Sequence, residues 1–297
     1  MNLKISKFIQ GLKLLVINPP LFLKYFRKHL FEFFCQKHQL SRISRNKVKK
    51  IGKIVFDFNF DFPIGDDYFY QMYFNFYEIA TIEFIKKTLK EGDIFLDIGT
   101  NIGYVAAVAA DLVGKNGEVY AFEPIPLYFE SLKRLALNNP KYHIIANQCA
   151  LGEDNGQTKI DFAKPPYIGG SSMASGVLPS SIPRDTIEVP VMRLDDYIEQ
   201  KKIKKDKIAL IKIDVEGFEF PVLKGLRKYF ENTKHRPEII CEITPSAYPL
   251  LGASRQELII YMKQYGYESF DIMALWRKVD ITKFKEGTNV VFKTSKQ

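Results

Sequence analysis

The sequence predicts an α/β protein with a doubly wound, mostly parallel sheet of about seven strands, and three observations carry that expectation. From Tyr77 onward strand-like and helix-like segments alternate, the order of successive βα units. The run Ile94 to Ile98 ends on glycines that open the next helical segment. Near the end of the chain, Glu268 to Ile272 and Asn289 to Lys293 lie too close for a helical crossover and suit an antiparallel hairpin at the sheet edge.

The elements follow in order. A helix over Glu78 to Leu89 precedes the turn Gly92-Asp93 and the strand Ile94 to Ile98, and a helix over Ile102 to Leu112 comes next. Gly114 and Gly117 punctuate the chain before the strand Val119 to Phe122. A helix over Leu127 to Leu137 stops at Asn138-Asn139-Pro140, and a third strand spans Tyr142 to Asn147. Past Gly152 an insert over 153–194 interrupts the pattern. Its strands, Thr158 to Phe162 and Thr186 to Val191, flank the Gly, Ser and Pro-rich stretch Lys164 to Pro183, too long for a plain connection and suited to a lid or binding loop. The sheet resumes with Ile208 to Val215, a helix around Phe220 to Phe230, and the strand Glu238 to Ile243.

Residues 1–70 read as a basic amphipathic N-terminal segment with short helices, and 71–297 as the main domain. Met1 to Leu40 holds no uncharged run near the roughly 20 residues that span a bilayer. Lys24, Arg27 and Lys28 interrupt its apolar stretch, which is not a secretory layout. The formal charge is +9, but residues 1–53 hold 13 Lys and Arg against the single acid Glu32, leaving 30 basic and 33 acidic side chains for the rest. A slightly acidic main body argues against nucleic acid as a partner. The N-terminal segment is left as either a lid on the main domain or a peripheral contact with an anionic membrane. Cys35, Cys149 and Cys241 show no metal or disulfide spacing, which fits a reducing, cytoplasmic setting.

Chemistry concentrates at strand ends. In Asp97-Ile98-Gly99-Thr100-Asn101-Ile102-Gly103, glycines permit a tight turn, and a helix N-terminus offers N–H groups to a ligand. Gly99 and Gly103 are spaced differently from the dinucleotide fingerprint, which favours a ligand without a pyrophosphate. Asp97 suits an ammonium or sulfonium. Glu123, before Pro124 and about 25 residues after the glycine turn, stands where doubly wound folds hold ribose hydroxyls. Lys212-Ile213-Asp214-Val215-Glu216, at the carboxyl end of the strand Ile208 to Val215, is a third cluster, and Glu242 ends the neighbouring strand. Lys212 and Asp214 share a strand face, and a lysine inside a buried strand needs a carboxylate partner. Asp214, Glu216 and Glu242 could orient a hydroxyl, take its proton or hold a divalent cation, though nothing in the pattern requires a metal.

These residues resemble the FkbM-type S-adenosylmethionine methyltransferases, class I enzymes of Rossmann-like fold, over about Glu78 to Phe292. The likeness rests on Asp97 to Tyr104, Ala121-Phe122-Glu123-Pro124, Gly170-Ser171-Ser172-Met173, Ile211 to Gly217 and Cys241-Glu242. It implies S-adenosyl-L-methionine as cofactor, with Asp97, Gly99, Asn101 and Gly103 around its methionine part, Glu123 on its ribose, and Gln148, Cys149 and Ala150 beside its adenine. Glu78, Thr100 and Pro124 complete the candidate cofactor set. Asp214, Glu216, Lys212 and Glu242 form the candidate catalytic set, and Gly170, Ser171 and Ser172 the acceptor-binding set. The expected reaction is O-methylation of a small molecule, lipid-linked sugar or other glycan. A nicotinamide-dependent oxidoreductase and a non-catalytic nucleoside-binding module are the competing readings.

Overall fold

A computed structural model describes residues 15, 17–38, 48–60, 66–165, 171–174, 176–177 and 181–294. Helix α1 (Pro19–His38) precedes a hairpin of β1 (Val48–Ile51) and β2 (Ile54–Asp57), then α2 (Asp66–Tyr73) and α3 (Ile79–Thr88). The βα steps are β3 (Ile94–Ile98) with α4 (Tyr104–Val113), β4 (Glu118–Phe122) with α5 (Pro126–Asn138), and then β5 (His143–Asn147). β6 (Ala150–Leu151) leads into the insert, which holds β7 (Gly156–Ala163), β8 (Ser171–Ser172) and β9 (Arg184–Met192) and is followed by α6 (Leu194–Gln200). After β10 (Ile208–Ile213) come α7 (Glu219–Lys224), α8 (Arg227–Asn232), β11 (Glu238–Ile243), α9 (Ala247–Leu250) and α10 (Arg255–Gln264). The strands β12 (Tyr267–Asp271), β13 (Ala274–Lys278) and β14 (Thr288–Thr294) finish the chain.

The main sheet has eight strands in the order β13-β12-β14-β11-β10-β3-β4-β5. The run β11-β10-β3-β4-β5 is parallel, and β14, β12 and β13 add antiparallel partners at one edge. The expected edge pair is therefore present as β12 and β14, with β13 as one strand more. Every residue of β3 is buried, as befits a central parallel strand covered on both faces. One apolar layer gathers β1, β2, α2, α3, α4 and α5. The other gathers α6, α7, α8 and α10 on the opposite face. In α4 the alanines at 106, 107, 109 and 110 are all buried, which brings the helix close to the sheet.

Three details differ from the sequence expectation. The helix over Phe220 to Phe230 is two helices that meet at Gly225-Leu226, and a Cβ on Gly225 would come within 2.2 Å of the Gly152 carbonyl oxygen, so only glycine fits there. The chain bends there, and Asp195 caps α8 by accepting from the Lys228 and Tyr229 N–H groups at 2.8 Å each. The insert is mostly a sheet, with β7 and β9 paired along eight positions. Within 1–70 stands the β1–β2 hairpin as well as helix. Its Ile54 and Phe56 sit in the core with Tyr104 and Leu135, and Asn139 bonds both the N–H and the carbonyl of Val55 at 2.8 Å.

The inner side of α1 packs on α3. Leu21 and Ile79 are buried together with Phe22, Tyr25, Phe76 and Ala80 around them, and Lys24 pairs with Glu83.

Candidate active site

A cavity of about 580 Å³ opens at the carboxyl ends of β3, β4, β10 and β11, where ligands of such sheets bind. Its floor is the turn after β3. The Asp214 N–H donates to the Ile98 carbonyl at 3.0 Å, drawing the ends of β3 and β10 together. Gly99 has φ 79°, and a Cβ there would lie 1.8 Å from the Asp214 carbonyl oxygen, so only glycine fits.

The N–H groups of this turn are already used. Gly99 and Thr100 donate to the Phe122 carbonyl at 3.1 Å, Gly103 to the Thr100 carbonyl at 3.0 Å, and Ile102 to Asn101 Oδ1 at 2.8 Å. Asn101 donates to Glu123 Oε2 at 2.9 Å, and Glu123 Oε1 accepts from Ile125 at the same distance. The N–H groups of residues 99–103 are thus occupied, that of Asn101 by a carboxylate, and Tyr104 and Val105 at the start of α4 line the cavity. Burial raises the Glu123 carboxyl to about 7, against the lowering effect of those two N–H bonds.

Asp97 is fully buried at 0% exposure, with Thr100 donating to Oδ2 at 2.6 Å and no partner for Oδ1. Burial pushes its carboxyl up to about 6, while the Lys212 charge and the Thr100 bond pull it down. Glu78 lines the cavity and its Oε2 is likewise buried without a partner. Lys212, 2% exposed, reaches Asp214 Oδ2 at 2.7 Å. Burial opposes its charge, but attraction from Asp214, Glu78 and Asp97 outweighs it and holds the ammonium above the ordinary lysine range. Asp214, Glu216 and Glu242 each place a carboxylate oxygen within 4.8 Å of the others, close enough to share a divalent cation or a proton. Burial, then the negative charges of Asp214 and Glu219, raises Glu216 to about 8. Burial, then Asp214 and Glu216, raises Glu242 to about 10, and its carboxyl hydrogen-bonds Asp214.

Backbone strain gathers at the same place. Among the described residues five non-glycines have left-handed φ, and three of them, Glu78 (39°), Asn101 (54°) and Glu216 (52°), line the cavity. Glu219 helps hold the last of these. Its Oε1 accepts from Gly217 at 2.8 Å and Val215 at 3.3 Å, fixing the turn that presents Glu216.

Most of the residues expected at the site meet here. Pro124, Cys149 and Ala150 line the cavity with Thr100, Asn101 and Glu123. Gln148 does not: it is exposed, because extended chain sends it to the side opposite the buried Cys149. Ser171 lines the cavity, whereas the buried Ser172 lies behind it, donating to the Glu216 carbonyl at 2.6 Å and accepting from Ala174 at 3.0 Å. Gly170 falls outside the described residues. Lys28, Tyr68, Gln71, Tyr77 and Asn289 also line the cavity and were missed. They come from α1, α2, β14 and the turn before α3, and no motif marks them. Only Asn289 had a signal, since it opens the expected strand Asn289 to Lys293; in the sheet it pairs with Glu242 in register.

The profile of the family described as "Methyltransferase FkbM domain" matches residues 97–269, more than half of the chain. A hexuronic acid methyltransferase, AglP of Haloferax volcanii, is 26% identical over 172 residues, covering 58% of this chain and 64% of that protein. A protein-L-isoaspartate O-methyltransferase of Methanococcus aeolicus is 48% identical over 68 residues, 22% of this chain and 31% of that protein. The chain thus spans less than two thirds of the length of either relative. Among solved structures, M. jannaschii TYW2 in complex with AdoMet superposes with a TM-score of 0.39 at 16% identity, covering 84% of this chain and 85% of that one.

Proposed function

Because this chain belongs to the methyltransferase FkbM domain family, we propose that it transfers the methyl group of S-adenosyl-L-methionine to a hydroxyl oxygen of a glycan, lipid-linked sugar or other small molecule. The observation that carries this reading is the sign of the cavity. Glu78 and Glu123 line it, Asp97 lies fully buried beside Thr100, and Asp97 and Glu78 each keep one buried oxygen without a partner, whereas Glu216 and Glu242 hold their protons at neutral pH. Such a wall fits a ligand bearing an ammonium and a sulfonium. The Glu123 carboxylate seated on the Asn101 N–H counts against a pyrophosphate there, and hence against the nicotinamide reading.

Asp97, Glu78 and the 99–103 turn would hold the cationic end of the cofactor, and Glu123 its ribose hydroxyls, with Cys149 and Ala150 beside the base. When bound, the cofactor supplies a methyl group on a good leaving group. The chain then has to align an oxygen nucleophile and remove its proton. Asp214 serves as acceptor of that proton. Lys212 orients it, and Glu242, protonated at neutral pH, donates a hydrogen bond to it. Glu216, held by Glu219 and Ser172, stands beside the same carboxylate as a second acceptor once it ionises. Ser171 is placed to bond the acceptor molecule.

The oxygen acceptor rests on this acid cluster and on the sugar-acid specificity in the name of the Haloferax relative. The test incubates the purified chain with methyl-labelled cofactor and fractionated extract, followed by identification of the labelled product. Label on an ether oxygen of a saccharide or other small molecule upholds the reading; label on a carboxylate, nitrogen, carbon or polynucleotide overturns it. Calorimetry with S-adenosylhomocysteine and NAD tests the cofactor separately, since Trp276 on β13 is outside the cavity wall and a poor optical reporter of it.

A further inference from the structure

The side of α1 that faces away from α3 is apolar. Leu23, Phe26 and Leu30 recur at helical spacing and are 57%, 53% and 46% exposed, with the exposed Arg27 among them. A second apolar feature adjoins the start of this helix. Asn18 donates its side-chain amide to the Met273 carbonyl at 3.2 Å, at the tip of the β12–β13 hairpin. Met273 is itself exposed, and Trp276, three residues on, is 73% exposed. Of the ten large apolar side chains that stand exposed among the described residues, five belong to these two features: Leu23, Phe26, Leu30, Met273 and Trp276. Scattered exposed leucines need no explanation, but this clustering does.

We infer that this helix face and hairpin form a docking surface for an anionic phospholipid bilayer. Charge selects the occupant. Residues 1–53 carry 13 Lys and Arg against one acid, while the rest of the chain is nearly balanced, so the excess positive charge resides in the segment that contains the apolar face. A basic amphipathic helix lies in a headgroup layer, where an exposed tryptophan also finds its preferred setting. No helix of the described residues is long and apolar enough to cross a membrane, so the contact is made on the surface. The inner side of the same helix holds Lys28 at the cavity wall, so docking sets the cavity near the headgroups. Only the usefulness of that placement rests on methyl transfer; the docking does not.

The full chain contains one tryptophan, which makes Trp276 a direct reporter. Vesicles of phosphatidylglycerol and phosphatidylcholine in equal parts should sediment the protein at low salt and shift Trp276 emission to the blue, and about 0.5 M salt should reverse both. Phe26→Glu and Leu23→Glu should each lower the partition about ten-fold or more, with S-adenosylhomocysteine affinity unchanged, which also shows that the variants are folded. Absence of sedimentation overturns the inference. So does binding that both variants retain, or binding that leaves Trp276 emission unmoved. A dimer in lipid-free buffer that Phe26→Glu dissolves would instead make the face a contact between copies. Loss of methyl transfer with vesicle binding intact would count against the proposed function and leave the docking standing.

Discussion

Lys212 Nζ lies 2.7 Å from Asp214 Oδ2 with its side chain 3% exposed, and it is the buried cation among Glu78, Asp97 and Asp214. The two residues share a face of β10 and its end, so the pair is set by strand geometry. Breaking such a pair from one side strands a charge. Lys212→Met should cost about 3 kcal/mol, the low end for a buried pair because Asp214 keeps some solvent contact. In urea titrations, adding Asp214→Asn to Lys212→Met should recover part of that loss. Equal, additive losses would show that the two side chains are not coupled.

Asp97 and Glu78 have buried oxygens without partners, whereas both oxygens of Glu123 are occupied by backbone N–H groups. Asp97→Asn and Glu78→Gln should therefore weaken S-adenosylmethionine binding about ten- to a hundred-fold, from the 1.5 to 3 kcal/mol of a charged hydrogen bond, with melting temperature little changed or raised. Glu123→Ala should lower both affinity and melting temperature, because the Asn101 and Ile125 N–H groups lose their acceptor. Calorimetry and thermal melts on the same three proteins decide it. Unaltered affinity in Asp97→Asn and Glu78→Gln would remove the cofactor assignment.

Ser171 and Ser172 are neighbours with different expected parts. Ser171→Ala should raise the acceptor KM and leave cofactor affinity alone. Ser172→Ala removes the hydroxyl that bonds the Glu216 carbonyl and the Ala174 N–H, and should lower kcat and thermal stability together. Steady-state kinetics with the labelled acceptor would separate the two, and matching profiles would contradict the division.

The parallel sheet was legible because its determinants are local. Ile94 to Ile98, Glu238 to Ile243 and the glycines at 99 and 103 announce buried strands and a tight turn without reference to the rest of the chain. The capping box Ser254 to Glu257 that starts α10 was equally local and could have been read. The acids at strand ends were legible too, since the carboxyl ends of parallel strands converge on one crevice. What could not be read depends on distant backbone. Gly225 is required by the approach of the Gly152 carbonyl, and Ser172 is occupied by Glu216 rather than by a ligand. Tyr68, Gln71 and Lys28 reach the cavity only through the packing of α1 and α2, whose side-chain types carry no site signature.

The acid cluster makes a pH-dependent prediction with a definite sign. Glu216 and Glu242 are raised to about 8 and about 10, above the unfolded value of 4.5, so each binds its proton more tightly in the folded chain. The folded state gains from this below the unfolded pKa and loses it as pH rises through the folded pKa. Stability should therefore decline from about pH 4.5 to pH 8 through Glu216 and further toward pH 10 through Glu242. Glu242→Gln, which cannot ionise, should raise the melting temperature at pH 8 by about 2 °C or more and have a smaller effect near pH 5. Turnover should move the opposite way: as Glu216 ionises near pH 8 it becomes a second proton acceptor beside Asp214, so kcat should climb through that value and Glu216→Gln should flatten the climb. With these carboxyls protonated and Asp214 paired to Lys212, the cluster needs no cation for charge balance, and activity at pH 7 should survive a chelator. Activity lost to the chelator and restored by magnesium would make Asp214, Glu216 and Glu242 metal ligands. In that case the rise near pH 8 should shift to lower pH when magnesium is added, because a cation favours ionised carboxylates.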